Sequence, residues 1–329
     1  MIISKTPFRI SFFGGGTDLP EYFFRQNKGA VISTAIDKYI YLTVSSHPKE
    51  INEESIKIAY SKIENLENVD EMQHTPFKEI IKYFNISKNI EIHVISDLPS
   101  FSGLGGSSSF TVGLVNALST FVSEPIDNHQ LTYKSIDIER NILKEAVGCQ
   151  DQTIAAFGGM NFIEFNSESD IKVTPIDLNP NLKDELSNSL MLFFTGIKRK
   201  AQTIEINKIN NIKNIYNELD NIHKITLDAL NMLTNSQSIS RFGDLLSQTW
   251  ELKKKLSKDV SASKIDQMYN DAIDAGAIGG KLLGAGGGGF LLLVVPNEKK
   301  GNVRNSLREF YEINFNIMAE GSKIIHNNN

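Results

Sequence analysis

Apolar and polar positions along the first half of the chain separate into strand and helix periodicities. Within Tyr39 to Val44, Ile40, Leu42 and Val44 fall on one face, which predicts a strand. Ile90, Ile92 and Val94 alternate with Glu91 and His93 in the same way, and Asp97-Leu98-Pro99 ends that strand. A Gly/Ser loop follows. Phe110 to Phe121 is almost wholly apolar and long enough for a buried helix, a second helix is predicted from Leu131 to Ala146, and Phe162, Ile163 and Phe165 suggest another strand. The second half changes character. From Lys200 to Leu256, Ile206, Ile209, Ile212, Ile215, Leu219 and Ile222 recur at steps of three and four, the signature of amphipathic helix, with a break near Asn235 to Ser240. The same spacing returns at Ile265, Met268, Tyr269, Ala272 and Ile273, and a strand from Phe290 to Val295 is closed by Pro296. No internal repeat is present, and His326 to Asn329 are expected to be disordered. Strands and helices mixed without regular alternation predict an α+β protein in two lobes, divided near residues 180 to 200.

At 329 residues, with 40% hydrophobic and 22% charged side chains, the chain can bury a sizeable core without covalent staples. A net charge of −5 and no long basic block argue against a nucleic-acid partner. The single cysteine, Cys149, cannot form an intrachain disulfide and reads as a small buried hydrophobe, which fits a reducing cytoplasm. None of the six histidines has the paired spacing of a zinc site. Polar residues interrupt MIISKTPFRISFF, so it does not read as a signal peptide, and no apolar run approaches the ~20 residues that span a bilayer.

Glycine is average in number but not in position: 11 of the 23 lie in three short loops. Asp97 to Ser109 lies between a strand and the apolar helix. Its glycines and three serines at a helix N-terminus form either a phosphate cradle or a flexible turn with a serine cap. A dinucleotide fingerprint there would need glycine in place of Ser108. A P-loop ending at Gly280-Lys281 would need glycine at Ala275 and Ser or Thr at Leu282. Both patterns fail. The first loop, Gly14-Gly15-Gly16-Thr17-Asp18, leaves room for a ligand whose hydroxyls Asp18 could bind, or is a tight turn with Asp18 as a cap. In the third, Lys281 to Gly289, four consecutive glycines between apolar segments carry an entropy cost that demands a close approach.

Together the loops match, in order, the three motifs of the GHMP kinase superfamily, and the resemblance covers essentially the whole chain. Pro99, Gly103, Leu104, Ser107 and Ser108 reproduce its Pro-x-x-x-Gly-Leu-x-x-Ser-Ser motif. GGGTDLPEY (Gly14 to Tyr22), VGCQDQTIAAFGG (Val147 to Gly159) and FFTGIKRKA (Phe193 to Ala201) are similar to bacterial D-glycero-D-manno-heptose 7-phosphate kinases. The resemblance implies a two-lobed α+β fold, with a ribosomal-S5-like nucleotide-binding domain over 1–185 and a ferredoxin-like domain over 186–329. It implies a cytoplasmic, ATP- and Mg²⁺-dependent phosphotransferase acting on the anomeric hydroxyl of a sugar phosphate, on the route to GDP-heptose for surface polysaccharide. The alternatives are a free hexose or another small alcohol as acceptor, or a non-catalytic ligand sensor. No membrane or nucleic-acid partner is implied, and the chain could pair as a homodimer.

By the same resemblance Asp151 matches the catalytic aspartate, which removes or orients the acceptor proton, and Arg9 the basic residue beside it. Pro99, Gly103, Leu104, Gly105, Gly106, Ser107, Ser108 and Ser109 would hold the nucleotide. Ser107 and Glu139 match the metal ligands, with Ser108 the rival to Ser107. Two positions depart from the pattern: Gly106 stands where relatives more often carry serine, and Cys149 where they often carry lysine. Gly15, Gly16, Thr17 and Asp18 would bind the sugar, Lys198 and Arg199 its existing phosphate, and Gly286 and Gly287 would close around the ligands.

Overall fold

The computed structural model describes residues 1–26, 28–99, 102–167, 169–198, 201–257 and 259–328. The first half builds on two long strands, β1 (Ile2–Phe13) and β2 (Gly29–Ser46), with the short helix α1 (Pro20–Gln26) between them. The hairpin β3 (Ile56–Ala59) and β4 (Ile63–Leu66), the helix α2 (Thr75–Tyr83) and β5 (Ile90–Ser96) follow. Three helices, α3 (Gly106–Phe121), α4 (Asn128–Asp137) and α5 (Gln150–Phe157), then lead to β6 (Met160–Ser167) and β7 (Asp170–Pro175). The second half comprises α6 (Pro180–Ser189), β8 (Leu190–Phe194), α7 (Ala201–Asn210), α8 (Tyr216–Thr234), α9 (Ile239–Leu256) and α10 (Ser263–Asp274). It ends with β9 (Gly279–Leu282), β10 (Phe290–Val294), α11 (Lys300–Ser306), β11 (Tyr311–Glu312) and β12 (Lys323–Asn327).

Two sheets result. The larger runs β12-β1-β2-β5-β3-β4, and β6 pairs with β2 and β7. Its pairings are antiparallel except β3 with β5. The smaller is antiparallel in the order β11-β8-β10-β9. Besides β1, β2 serves two further partners because it is long: Gly29 to Thr34 pair with β6 and Ile40 to Ser46 with β5. The chain returns to its start, for Lys323 to Asn327 pair with the first residues of β1. His326 and Asn327 therefore lie in a strand, contrary to the expected disorder, because the edge of β1 offers unpaired N–H and C=O groups. Asn329 lies outside the described residues.

The helix Gly106–Phe121 starts four residues earlier than the apolar run suggested. The segment expected to be one helix from Leu131 to Ala146 ends as α helix at Asp137 and passes through a π-helical turn, Ile138–Ile142. No helix among the described residues is long and apolar enough to cross a membrane.

One buried cluster joins the halves. The ring of Phe242 on α9 meets Phe12 and Phe13 at the end of β1 edge to face, both with centroids 5.2 Å apart, and Leu292 and Phe290 of β10 belong to the same cluster. The end of β1, from which the first glycine loop departs, is thus fixed against the second half by this packing and by Lys281 Nζ, which donates to the Ser11 and Phe12 carbonyls. Phe242→Ala should cost on the order of 3–5 kcal/mol in urea unfolding. A loss well under ~1 kcal/mol would show that this contact does not hold the halves together.

Candidate active site

β1 delivers Arg9 to the middle of the molecule. The guanidinium clamps Asp151 through Nε to Oδ1 and Nη2 to Oδ2, both 2.7 Å, and donates from Nη1 to the Gly103 carbonyl at 2.8 Å. Its backbone N–H bonds the Leu104 carbonyl at 3.0 Å. Arg9 is buried while the Asp151 side chain keeps 25% exposure, so the pair presents its carboxylate to the open side. The second loop reaches Arg9 because Gly105 adopts φ +77°; a side chain there would come within 2.9 Å of the Arg9 stem. Gly105 then stands as the left-handed N-cap of α3, whose first bond runs from Ser109 N–H to the Gly105 carbonyl. The first-turn N–H groups of α3 have no carbonyl partner within the helix and create positive potential at its mouth.

Asp151 is in the first turn of α5, and no local side chain caps that helix. Asp18 does so from the first loop. Its Oδ2 accepts from Gln150 N–H at 3.3 Å, its Oδ1 from Gly16 N–H at 2.9 Å, and its own carbonyl from Cys149 N–H at 3.1 Å. Burial raises the Asp18 pKa to about 6, the nearby Asp151 charge adds to the rise, and the Gly16 N–H opposes it.

Glu139 projects inward from the π-helical turn and is fully buried. One carboxylate oxygen, Oε2, accepts from the Ser108 hydroxyl at 2.8 Å and from the Gln152 amide, while Oε1 has no hydrogen-bond partner of ordinary geometry. Burial pushes its pKa up to about 8 and the Glu145 charge adds to this, with Thr111, Ser108 and Gln152 pulling the other way. Ser107, the serine first matched to a metal, is exposed and lines the cavity; Ser108 is the one that meets Glu139.

One cleft of about 1120 Å³, counted into the open solvent, collects all three glycine loops: Gly15 and Gly16, Gly103, Gly105 and Gly106, and Gly284 with Ala285. Arg9, Asp18, Asp151, Ser107 and Ser108 line it too. Other expected residues serve the walls. Leu104 and Ser109 are buried, the Ser109 hydroxyl bonding the Pro7 carbonyl at 2.8 Å, and Thr17 holds its turn through the Gly14 and Ala30 carbonyls. Pro99 and Lys198 are exposed and away from the cleft lining; Arg199 lies outside the described residues. Gly286 and Gly287 do not line the cleft either. They sit on Val260, as Gly288 sits on Ile197 and Gly289 on Ser102, so the run of glycines permits backbone crossings rather than ligand contact.

The cleft also holds charged residues that motif reading passed over. Glu205 and Lys208 pair on α7 at 2.7 and 2.8 Å, and Lys253 of α9 and Lys281 of β9 are buried. Lys281 could have been found as a lone cation inside an apolar strand. Lys253 hides in Lys253 to Lys255, which looks like an ordinary basic helix C-terminus.

Residues 75–159 match the GHMP kinases N terminal domain, and residues 228–313 match GHMP kinases C terminal. The D-glycero-alpha-D-manno-heptose 7-phosphate kinase of Campylobacter jejuni is 33% identical, covering 98% of each chain. This chain belongs to the GHMP kinases. Among solved structures, a D-glycero-D-manno-heptose 1-phosphate kinase from Bacteroides thetaiotaomicron superposes with a TM-score of 0.80 at 25% identity over 100% of both chains. A putative sugar kinase from Campylobacter jejuni gives 0.75 at 29%, covering 98% of this chain and 97% of its own. As a GHMP kinase the protein is a phosphotransferase with an alcohol acceptor, on the two-lobed α+β fold of that family.

The raised Asp18 pKa has a consequence for stability. Its folded-state value of about 6 lies above the ordinary aspartate value of 3.8, so the folded protein holds a proton that the unfolded chain has released between those pH values. Stability is therefore lost as pH rises from about 4 to about 6, and the loss is complete above that. Relative to Asp18→Asn, the wild type should weaken by ~3 kcal/mol over this window in urea unfolding. A pH-independent difference between the two proteins would refute the assignment.

Proposed function

We propose that this kinase transfers the γ-phosphoryl group of ATP to the anomeric C1 hydroxyl of D-glycero-D-manno-heptose 7-phosphate, giving the 1,7-bisphosphate that leads to GDP-heptose. The observation that carries the reading is the meeting, in one cleft, of the Arg9–Asp151 pair with the N-terminus of α3. The name of the Campylobacter jejuni relative supports the acceptor.

In this reading the loop from Gly103 to Ser108 receives the nucleotide phosphates on backbone N–H groups and serine hydroxyls. Each Asp151 oxygen accepts one bond from Arg9 and keeps a lone pair for the acceptor hydroxyl. Asp151 orients that hydroxyl and takes its proton as oxygen attacks the γ-phosphorus and the bond to the ADP oxygen breaks. An anomeric hydroxyl is more acidic than an ordinary alcohol, so a modest base suffices. Arg9 fixes the orientation of the Asp151 carboxylate and adds positive charge beside the transferring group. The residues present fit Mg²⁺, which takes one or two hard protein oxygens with phosphate and water completing its shell. Ser107, Ser108 and Glu139, whose Oε1 is unpartnered, would hold it. Among the described residues no cluster of three acidic, histidine or cysteine side chains forms a metal site. When bound, the ion neutralises phosphate charge.

Incubation with ATP, Mg²⁺ and heptose 7-phosphate, free heptose or free hexoses tests the proposal. A new phosphorus resonance coupled to the anomeric proton is expected with heptose 7-phosphate alone. Turnover confined to free hexoses would overturn it.

A further inference from the structure

Four cations line the cleft, and two of them already have carboxylate partners. Arg9 spends Nε and Nη2 on Asp151 and Nη1 on the Gly103 carbonyl. Lys208 is held by both oxygens of Glu205. The other two are Lys253 and Lys281, each more than nine-tenths buried. Lys281 Nζ donates to the Ser11 and Phe12 carbonyls at 3.1 and 2.8 Å, and Lys253 Nζ to the Leu282 carbonyl at 2.7 Å and to that of Gly284. Among the described residues neither lies within ion-pair distance of a carboxylate. An ammonium has three N–H donors, so each keeps one unspent.

Carbonyl anchors fix where these amino groups point but leave them without a carboxylate partner. Buried charges are costly unless paired, so a site that keeps two such cations beside a cleft is built to receive an anion. Burial first, and then the charges of Arg9 and Lys208, holds Lys281 down to about 7; burial first, and then the charges of Lys281 and Lys208, holds Lys253 well below the usual lysine range. An arriving dianion would relieve both. Two phosphate-bearing ligands must share the cleft, and the N-terminus of α3 serves only one of them. Lys198, the exposed lysine first matched to the sugar's own phosphate, lies away from the cleft lining. Lys253 and Lys281 come instead from α9 and β9, on the wall that also carries Glu205, Lys208, Ile222 and Thr249.

We propose that the ammonium groups of Lys253 and Lys281 form the subsite for the phosphate that the acceptor already carries. The inference rests on the sugar-phosphate reading above. It makes these lysines the source of preference for a phosphorylated over a free sugar.

The test measures binding of inorganic phosphate and of heptose 7-phosphate to the full chain by calorimetry, with ADP and Mg²⁺ filling the nucleotide cradle. Lys253→Met and Lys281→Met should each weaken both ligands about 30-fold, and Lys253→Arg should restore affinity to within about 3-fold. Affinities for ADP and for the non-hydrolysable analogue AMP-PNP should stay unchanged. Unaltered phosphate binding in a folded Lys253→Met variant would overturn the proposal. So would a loss confined to AMP-PNP, which would assign the lysines to the nucleotide's terminal phosphate. If Lys281→Met does not fold, Lys253→Met carries the test. Loss of phosphate binding in the variants without turnover of heptose 7-phosphate by the wild type would support the subsite and overturn only the acceptor assignment.

Discussion

The buried ion pair between Arg9 and Asp151 is the interaction on which the rest of the site depends. Burying a guanidinium is costly unless its donors are met in good geometry, and here the fork of Arg9 meets both carboxylate oxygens and a loop carbonyl. Each partner is held from elsewhere. Strand β1 is paired on both edges, to β2 and β12, and Asp151 rides on a helix capped by Asp18. The second glycine loop follows Arg9 because two of its carbonyls are that residue's acceptors. A charge pair in the centre of the molecule thus sets the positions of two loops nearly a hundred residues apart in sequence.

The third loop illustrates the complementary constraint. Gly284 takes φ +68°, and a side chain there would come within 2.6 Å of the Gly103 Cα. Backbone lies on backbone at this crossing, and the two loops can border one cleft only because neither has a side chain in the way. The entropy cost of the glycine run is offset by these close approaches to Gly103, Val260, Ile197 and Ser102.

The elements readable from the chain were those whose periodicity reports their own burial. The apolar run of α3, the three- and four-residue steps from Ile209 to Ile222 and the alternation in β5 point to the faces they bury, whereas Ile206 at the start of those steps is exposed. The convergence of the glycine loops was legible as motif order, and Arg9, Asp18 and Asp151 do meet there. What was not legible depends on distant partners. β12 becomes a strand only because β1 has a free edge, and Glu139 turns inward at a π-helical turn that periodicity does not announce. Lys253 and Trp250 share a helical face, yet only the loop packed on that face reveals which of three consecutive lysines is buried. A basic triplet beside a strand has chemistry suited to a phosphate, yet Lys198 is not among the residues that line the cleft.

The cleft lining brings Arg9, Lys208, Lys253 and Lys281 together with Asp18, Asp151 and Glu205. Their distribution is not uniform, for the carboxylates cluster with Arg9 and Lys208 while the buried lysines wait on carbonyls. The account's central claim is that Arg9 and Asp151 act as one catalytic unit rather than as two independent contributors. A double-mutant cycle on kcat/KM with Arg9→Met and Asp151→Asn tests it most directly. The account predicts that each single variant loses about a thousandfold or more and that the double variant is scarcely worse than either. Losses that simply multiply would contradict it.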